Sequence, residues 1–347
     1  MPDVSVVIPT YNRARWLRET VDSVLNQTCR PLEILIVDDG STDDTESVCA
    51  RFPEPVRYVR QPNAGVAAAR NLGVRHAQGD WIAFGDSDDV WEPTKLAVQL
   101  AALEAHPGAR WSITDCTVID LDGKPLPEPR GFVRVFPLFA ELGAAPEELF
   151  AKFLTSSSTE LGGRRHTVYS GDAFALLFHG NVGLPSSVLM HRSLVKEAGA
   201  FDERFRVAEE TEYFHRLAAV SPVVIVMSSL VRYRVGQVGS LISSTNTTQL
   251  VENALKSLDQ ATRLRGILSA AERLAYRSGQ RRLLLTLAYA QLSVCDVHAA
   301  RATVVRAWRA HALAGPRSLA VYAASFLPVP VLRSLHELKR QWRRWRG

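Results

Sequence analysis

Trp81-Ile82-Ala83-Phe84-Gly85-Asp86-Ser87-Asp88-Asp89-Val90-Trp91 reads as an apolar strand that ends in three carboxylates. Negative charge at the mouth of a buried strand is costly unless something positive compensates it, and the commonest compensator is a divalent cation. Asp and Ser also favour turns and helix caps, so the cluster gains its meaning from its neighbours.

Outward from this stretch, apolar runs alternate with helix-length amphipathic segments. Val4–Pro9, Leu32–Asp38, Val56–Arg60 and Trp81–Gly85 predict strands, and Arg13–Asn26, Thr42–Arg51 and Gly65–Ala77 predict helices between them. Val- and Ile-rich runs without in-out alternation mark parallel strands buried on both faces, joined by right-handed βαβ crossovers. The fold class is therefore α/β with a Rossmann-like half, and ligands of such sheets bind outside the carboxyl ends of the strands. Those ends carry Thr10-Tyr11-Asn12-Arg13, Asp38-Asp39-Gly40-Ser41-Thr42-Asp43 and the Asp86–Asp89 cluster, so three polar groups converge on one rim. Ser41 and Asp43 read as helix-capping residues; Asp39, before Gly40, is placed to face the cleft.

No glycine-rich phosphate loop follows the first strand, where Pro9-Thr10-Tyr11-Asn12-Arg13 stands instead. Dinucleotide oxidoreduction and P-loop phosphoryl transfer lose their main support, and phosphates are left to a metal. Trp111–Ile119 and the turn Asp120-Leu121-Asp122-Gly123-Lys124 predict further strands, while 125–180 mixes Pro, Gly, Ser and charge, with short helices near Glu147–Leu154 and Asp172–Phe178. Ser186-Ser187-Val188-Leu189-Met190-His191-Arg192 and Gly199-Ala200-Phe201-Asp202-Glu203 come next, then Glu209-Glu210-Thr211-Glu212-Tyr213 at the head of a helix reaching about Ala219. Acids in a first helical turn suit the helix dipole, but four between Asp202 and Glu210 also supply a general base. His191 reads as structural.

Five of these elements, in order over residues 3 to 242, resemble glycosyltransferase family 2 of the GT-A fold: Val4 to Asn12, Val37 to Asp43, Asn63-Ala64-Gly65 with Ala69-Arg70-Asn71-Leu72-Gly73, Asp86-Ser87-Asp88-Asp89, and Gly199 to Glu203. The resemblance implies an inverting transfer of a sugar from a nucleotide-sugar donor, commonly a UDP-sugar, to a hydroxyl acceptor. It implies that Thr10 and Asp39 contact the nucleoside, Asp39 at the base ring, that Arg70 lines the nucleotide pocket and that Asp86 faces the ribose. Asp88 would bind Mg²⁺ or Mn²⁺ bridging the diphosphate, and Asp89 would support the metal or fix the loop. The family's base lies in a Glu-Asp pair at a helix head; here the pair is Glu209-Glu210, so Glu210 inherits the role, with Glu209 the alternative because Glu replaces the usual Asp. Relatives often carry a histidine before a Gly-Ser where this chain has Gln237-Val238-Gly239-Ser240.

The 347 residues, 46% hydrophobic and 22% charged, describe an ordinary globular chain rather than a disordered one. Cys29, Cys49, Cys116 and Cys295 lack disulfide or metal spacing and read as buried hydrophobes of a reducing compartment. With no leader pattern at Asp3-Val4 and Leu319–Leu332 broken by Pro328 and Pro330, the expectation is a cytoplasmic protein. From Leu250 onward 17 basic residues meet 5 acidic ones, a net +12, against −7 for residues 1–249. The division expected is a catalytic domain over 1–245 and a helical, basic region over 246–347, with helices at Leu250–Leu264, Ala270–Leu292 and Val297–Leu313. Its tail interleaves Arg333, Lys339, Arg340, Arg343, Arg344 and Arg346 with Trp342 and Trp345. That composition suits an anionic membrane surface, hence a peripheral protein with a glycan or lipid-linked acceptor. No recognition motif supports nucleic acid. A sugar nucleotidyltransferase would need a basic phosphate loop after strand one, and a non-catalytic sugar-nucleotide-binding scaffold would have lost the cleft acids, which are present.

Overall fold

β1 (Val4–Thr10) and β2 (Glu33–Asp38) are buried at every residue, as continuous Val/Ile runs require when helices cover both faces of a sheet. The computed structural model describes residues 2–136, 138–139, 143–161, 163–236, 247–311, 316–328 and 330–331. β3 (Val56–Arg60), β2, β1 and β4 (Trp81–Phe84) pair in that order, all parallel. The chain moves from β1 outward to β2 and β3 and then returns to the other side as β4, so a switch point lies between β1 and β4. The helices Ala14–Leu25, Thr45–Cys49 and Val66–His76 connect these strands. Even the buried Glu33 is satisfied, accepting from the Ser5 hydroxyl at 2.7 Å and the Gln78 amide at 2.6 Å.

Beyond β4 the sheet turns mixed. β5 (Val90–Trp91) is followed by the helix Lys95–Glu104, β6 (Trp111–Ile119), β7 (Pro125–Arg130), β8 (Thr155–Leu161), β9 (Arg164–Gly171), β10 (Leu189–His191) and β11 (Val223–Arg234). The order β3-β2-β1-β4-β10-β6-β11-β9-β8, with β5 on β11 and β7 on β6, makes one sheet of eleven strands among the described residues. The register of β11 on β6 shifts twice between Val226 and Val231, and this irregularity lets its last residues swing over β5 toward the strand-end acids. The short helices Pro146–Ala151 and Phe174–Leu177 fall where 125–180 predicts them. His191 stacks edge-on against Trp81 at 5.1 Å and bonds Ser193 at 2.9 Å, in keeping with a structural role.

The C-terminal helices run Thr247–Arg265, Ala270–Ser293, Val297–His311 and Pro316–Ala324. Ser269 and Glu272 form the capping box that starts the second of them. Leu258, Ala261 and Ala275 join the main core, so these helices pack onto the sheet domain as a cap. The expected boundary at 245/246, the Gln237–Ser240 segment and the basic tail lie outside the described residues. Among the described residues no helix is long and apolar enough to cross a membrane.

Candidate active site

The carboxyl ends of β1 and β2 are laced into one platform. Asn12, in the left-handed region at φ +53°, accepts from the Thr42 amide at 2.8 Å through Oδ1 and donates its own amide to Ser41 Oγ at 2.9 Å. Asp43 accepts from the Ala14 and Thr45 amides, both at 3.1 Å, which confirms it as a cap. Asp38 is engaged by the Ser41 amide and, at 2.6 Å, the Tyr58 hydroxyl. Asp39 accepts from Gln61 Nε2 at 2.7 Å and from the Ala64 and Gly65 amides at 2.8 Å. Its oxygens thus hold the 61–65 loop at the end of β2. Gly65 has φ +95°, and a Cβ there would strike Arg206, whose Nη1 donates to Ala64 O at 2.6 Å. The Thr10 hydroxyl is buried without a partner at the end of β1, an orphan that a bound polar group would satisfy.

Arg70 joins the two acidic groups. On the alanine-rich helix Val66–His76, with its side chain only 3% exposed, it donates from Nη2 to Asp86 at 2.8 Å and from Nη1 to Glu209 at 2.7 Å. Its guanidinium also lies over the Phe201 ring. Burial works against this charge, but the carboxylates of Asp86 and Glu209 outweigh it and hold Arg70 protonated above its ordinary range. Asn71, the next residue, clasps Phe201 in both directions at 2.9 Å and so staples Gly199–Glu203 to the same helix.

The three strand-end aspartates diverge. Asp86 faces Arg70, and its amide donates to Ser186 Oγ at 2.8 Å. Asp89 is wholly buried, accepting from the Ser186 hydroxyl at 2.5 Å and the Arg234 amide at 3.0 Å, so it fixes the loop. The Asp88 carboxylate, 18% exposed, accepts from Arg13 Nε at 3.2 Å. Burial and then the Asp86 charge push Asp88 up to about 6, with Arg13 opposing. Among the described residues no three His, Cys, Asp or Glu side chains converge as a ready metal cage. Asp86 and Asp88, 26% and 18% exposed and each paired with one arginine, nevertheless fit a Mg²⁺-type ion, which takes one or two carboxylates and completes its shell with phosphate oxygens and water.

The helix Glu209–Val220 enters the cleft from Ala208, a non-glycine residue at φ +60°, a conformation that costs about 1–2 kcal/mol. Glu209 is spent on Arg70. Glu212 is spent on Arg216 at 2.5 and 2.6 Å, so neither serves as a helix cap. Glu210 is half-buried and meets only the Thr211 hydroxyl at 3.3 Å. Burial first and the Glu209 charge second push Glu210 up to about 8, Asp86 adding and Arg70 opposing. A carboxylate of that affinity is matched to accepting a proton near neutral pH.

Three contributors carry no role in the sequence reading. Ser186 clamps Asp86 and Asp89 together. Arg234 anchors the acidic loop through Nε to Asp88 O at 2.9 Å and Nη2 to Glu19 at 2.7 Å. Tyr233 stands within the field of both acid groups, its phenol pushed up by burial and then by Asp89, Asp86, Asp88 and Glu210. Ser186 lies in a quoted motif; nothing local marks Tyr233 or Arg234, whose places follow from the shifted register of β11.

Residues 5–127 match the protein family described as Glycosyl transferase family 2. An uncharacterized glycosyltransferase of Rickettsia felis is 50% identical over 106 residues, 30% of this chain and 17% of that protein. The succinoglycan biosynthesis protein ExoO of Rhizobium meliloti is 31% identical over 214 residues, 60% of this chain and 54% of its own. The chain therefore spans between a sixth and about half the length of these two relatives. Among solved structures, S. aureus TarS 1–349 in complex with UDP aligns with a TM-score of 0.58 at 16% identity, covering 98% of this chain and 91% of that one. TarS 1–349 in complex with UDP-GlcNAc gives 0.55 at 14% identity, covering 89% and 90%. This likeness shows a shared GT-A fold.

Proposed function

We propose that this chain, whose residues 5–127 match glycosyl transferase family 2, transfers a sugar, with inversion, from a nucleotide-sugar donor to a hydroxyl of a glycan or lipid-linked acceptor. The observation that carries the reading is the Arg70 fork, which brings the strand-end acids and the helix-head glutamates, far apart in sequence, to one guanidinium. The UDP and UDP-GlcNAc bound by TarS favour a UDP-sugar, and the name of ExoO favours cell-surface polysaccharide as the product.

In this reading the nucleotide lies along Thr10, Asp39, Arg70 and Asp86, and Thr10 gives its orphaned hydroxyl a partner. Asp88 would hold Mg²⁺ or Mn²⁺, which when bound neutralises charge on the departing diphosphate. Glu210 accepts the proton of the acceptor hydroxyl as that oxygen bonds to the anomeric carbon. The bond from that carbon to the diphosphate oxygen breaks, and its electron pair leaves with the nucleoside diphosphate. Glu209, paired with Arg70, raises the proton affinity of its neighbour through its charge.

The basic, tryptophan-bearing tail supports peripheral attachment to an anionic membrane at its cytoplasmic face. Phe326 and Leu327 stand exposed shortly before it. Incubation with a panel of UDP-, GDP- and dTDP-sugars and Mn²⁺ tests the assignment: one donor is expected to release its nucleoside diphosphate in a metal-dependent manner. Release of pyrophosphate, or no donor bound at all, would overturn it.

A further inference from the structure

The left-handed Ala208 from which both glutamates enter the cleft is held from outside the sheet. Val207 C=O and Ala208 N–H belong to one rigid peptide plane, so whatever holds that carbonyl also restrains the φ of Ala208. Nδ2 of Asn253, on the helix Thr247–Arg265, donates to Val207 O at 2.9 Å. Asn253 is 4% exposed and has no solvent alternative. Its amide is oriented from the other end by Gln249, one turn earlier, whose Nε2 donates to Asn253 Oδ1 at 2.8 Å. One turn later, Ser257 Oγ bonds His215 Nδ1 at 2.5 Å, pinning the same two helices a second time.

We infer that Asn253 is a positioning residue for the Glu209–Glu210 pair, holding the strained turn that aims them. The role of Glu210 itself rests on the reading above. A strained residue persists only where its surroundings over-determine it. The first turn of the glutamate helix depends on this one, because the Glu212 amide donates to Ala208 O at 3.1 Å. Freed of the Asn253 bond, the peptide plane can relax to negative φ and rotate the helix head out of register with Arg70, Asp86 and Tyr233, the groups that face Glu210 from the neighbouring elements.

The test compares the full chain with Asn253→Asp, Ala208→Gly and the double variant. Aspartate keeps the shape but offers an acceptor to a carbonyl. Glycine adopts positive φ without strain and so removes the need for the restraint. Amide hydrogen exchange over residues 209–212, read without substrate, is expected to quicken about tenfold in Asn253→Asp and to return toward the parent value in the double variant. With Mn²⁺ and UDP-GlcNAc or whichever donor proves active, kcat falls about 10- to 100-fold while calorimetric affinity for UDP holds, and the acidic limb of the pH profile moves. Unchanged exchange in Asn253→Asp, or a double variant no better than the single, overturns the inference. A quickened exchange in a chain that turns over no nucleotide-sugar leaves the positioning standing and removes the reading of Glu210 as base. Should Asn253→Asp fail to fold, Asn253→Ala provides the same comparison.

Discussion

The strand-end aspartates and the helix-head glutamates are both crowded acid groups touching Arg70, yet they solve the crowding differently. At the strand end one acid is locked by a serine and a backbone amide, one is paired with Arg70, and Asp88, partly exposed, is held by Arg13 alone. At the helix head, Glu209 takes the arginine and Glu210 is left with one long contact from a neighbouring hydroxyl. In the proposed function the first arrangement serves a cation and the second a proton. On that proposal one arginine separates two tasks that five similar side chains could otherwise confuse.

The harshest way to break this contrast is Asp88→Ala, which removes the carboxylate offered to the metal. Transfer is expected to fall to the detection limit, Asp88→Asn nearly as far, and chelation of the parent should reproduce the loss until Mn²⁺ is restored. Full activity in either variant would erase the distinction between the two groups.

Glu210→Gln sharpens it. The rate should drop by about 10² to 10⁴ with metal and UDP affinity retained, and Glu209→Gln should cost less; a reversed ranking moves the base by one residue. The parent rate should climb with pH and level off above about 8, and this limb should vanish in Glu210→Gln. Stability runs the opposite way. A carboxyl whose folded affinity is raised binds its proton more tightly folded than unfolded, so stability present below the ordinary glutamate range is lost as pH rises toward about 8. Glu210→Gln should therefore melt above the parent at pH 8.5 and match it near pH 4, as thermal scans can show.

The smallest effect on chemistry lies farthest from both groups. Truncation after about Leu332 should leave turnover of a soluble acceptor unchanged and weaken cosedimentation with anionic vesicles, each basic residue contributing about 1 kcal/mol at such a surface. Added salt should weaken the full chain likewise, and equal recovery of both proteins on anionic and neutral vesicles would remove the membrane from the picture.

Legibility in the sequence followed burial. β1 to β4 and β6 stand within about a residue of where the sequence predicts them; β1 and β2, covered on both faces, leave a continuous Val/Ile signature, whereas the half-buried β3 shows only Val and Tyr interspersed with Arg. β7, Pro125-Leu126-Pro127-Glu128-Pro129-Arg130, and β8, Thr155-Ser156-Ser157-Ser158-Thr159-Glu160-Leu161, carry no such signature. Both flank the sheet's main body, where proline and polar side chains are tolerated and pairing comes from the partner strand. The site divides in the same way. Asp39, Asp86 and Asp88 sit in turns, and Glu210 at a helix head, whose composition announces them. Asn253 and Arg234 act through backbone carbonyls and amides brought near by tertiary packing, which no local pattern encodes.

The Arg70–Glu209 ion pair closes a loop of 139 residues. During synthesis the first 127 residues, the whole stretch that matches the family, emerge with the arginine and the strand-end acids but without the glutamates. Their order of appearance sets a schedule: the nucleotide half can assemble early, whereas the partner that quenches the second arm of Arg70 arrives only after β10 has slotted in beside β4. A nascent or clipped chain ending short of Glu209 would thus carry Arg70 with half its counter-charge, leaving an exposed seam for chaperones and proteases to recognise.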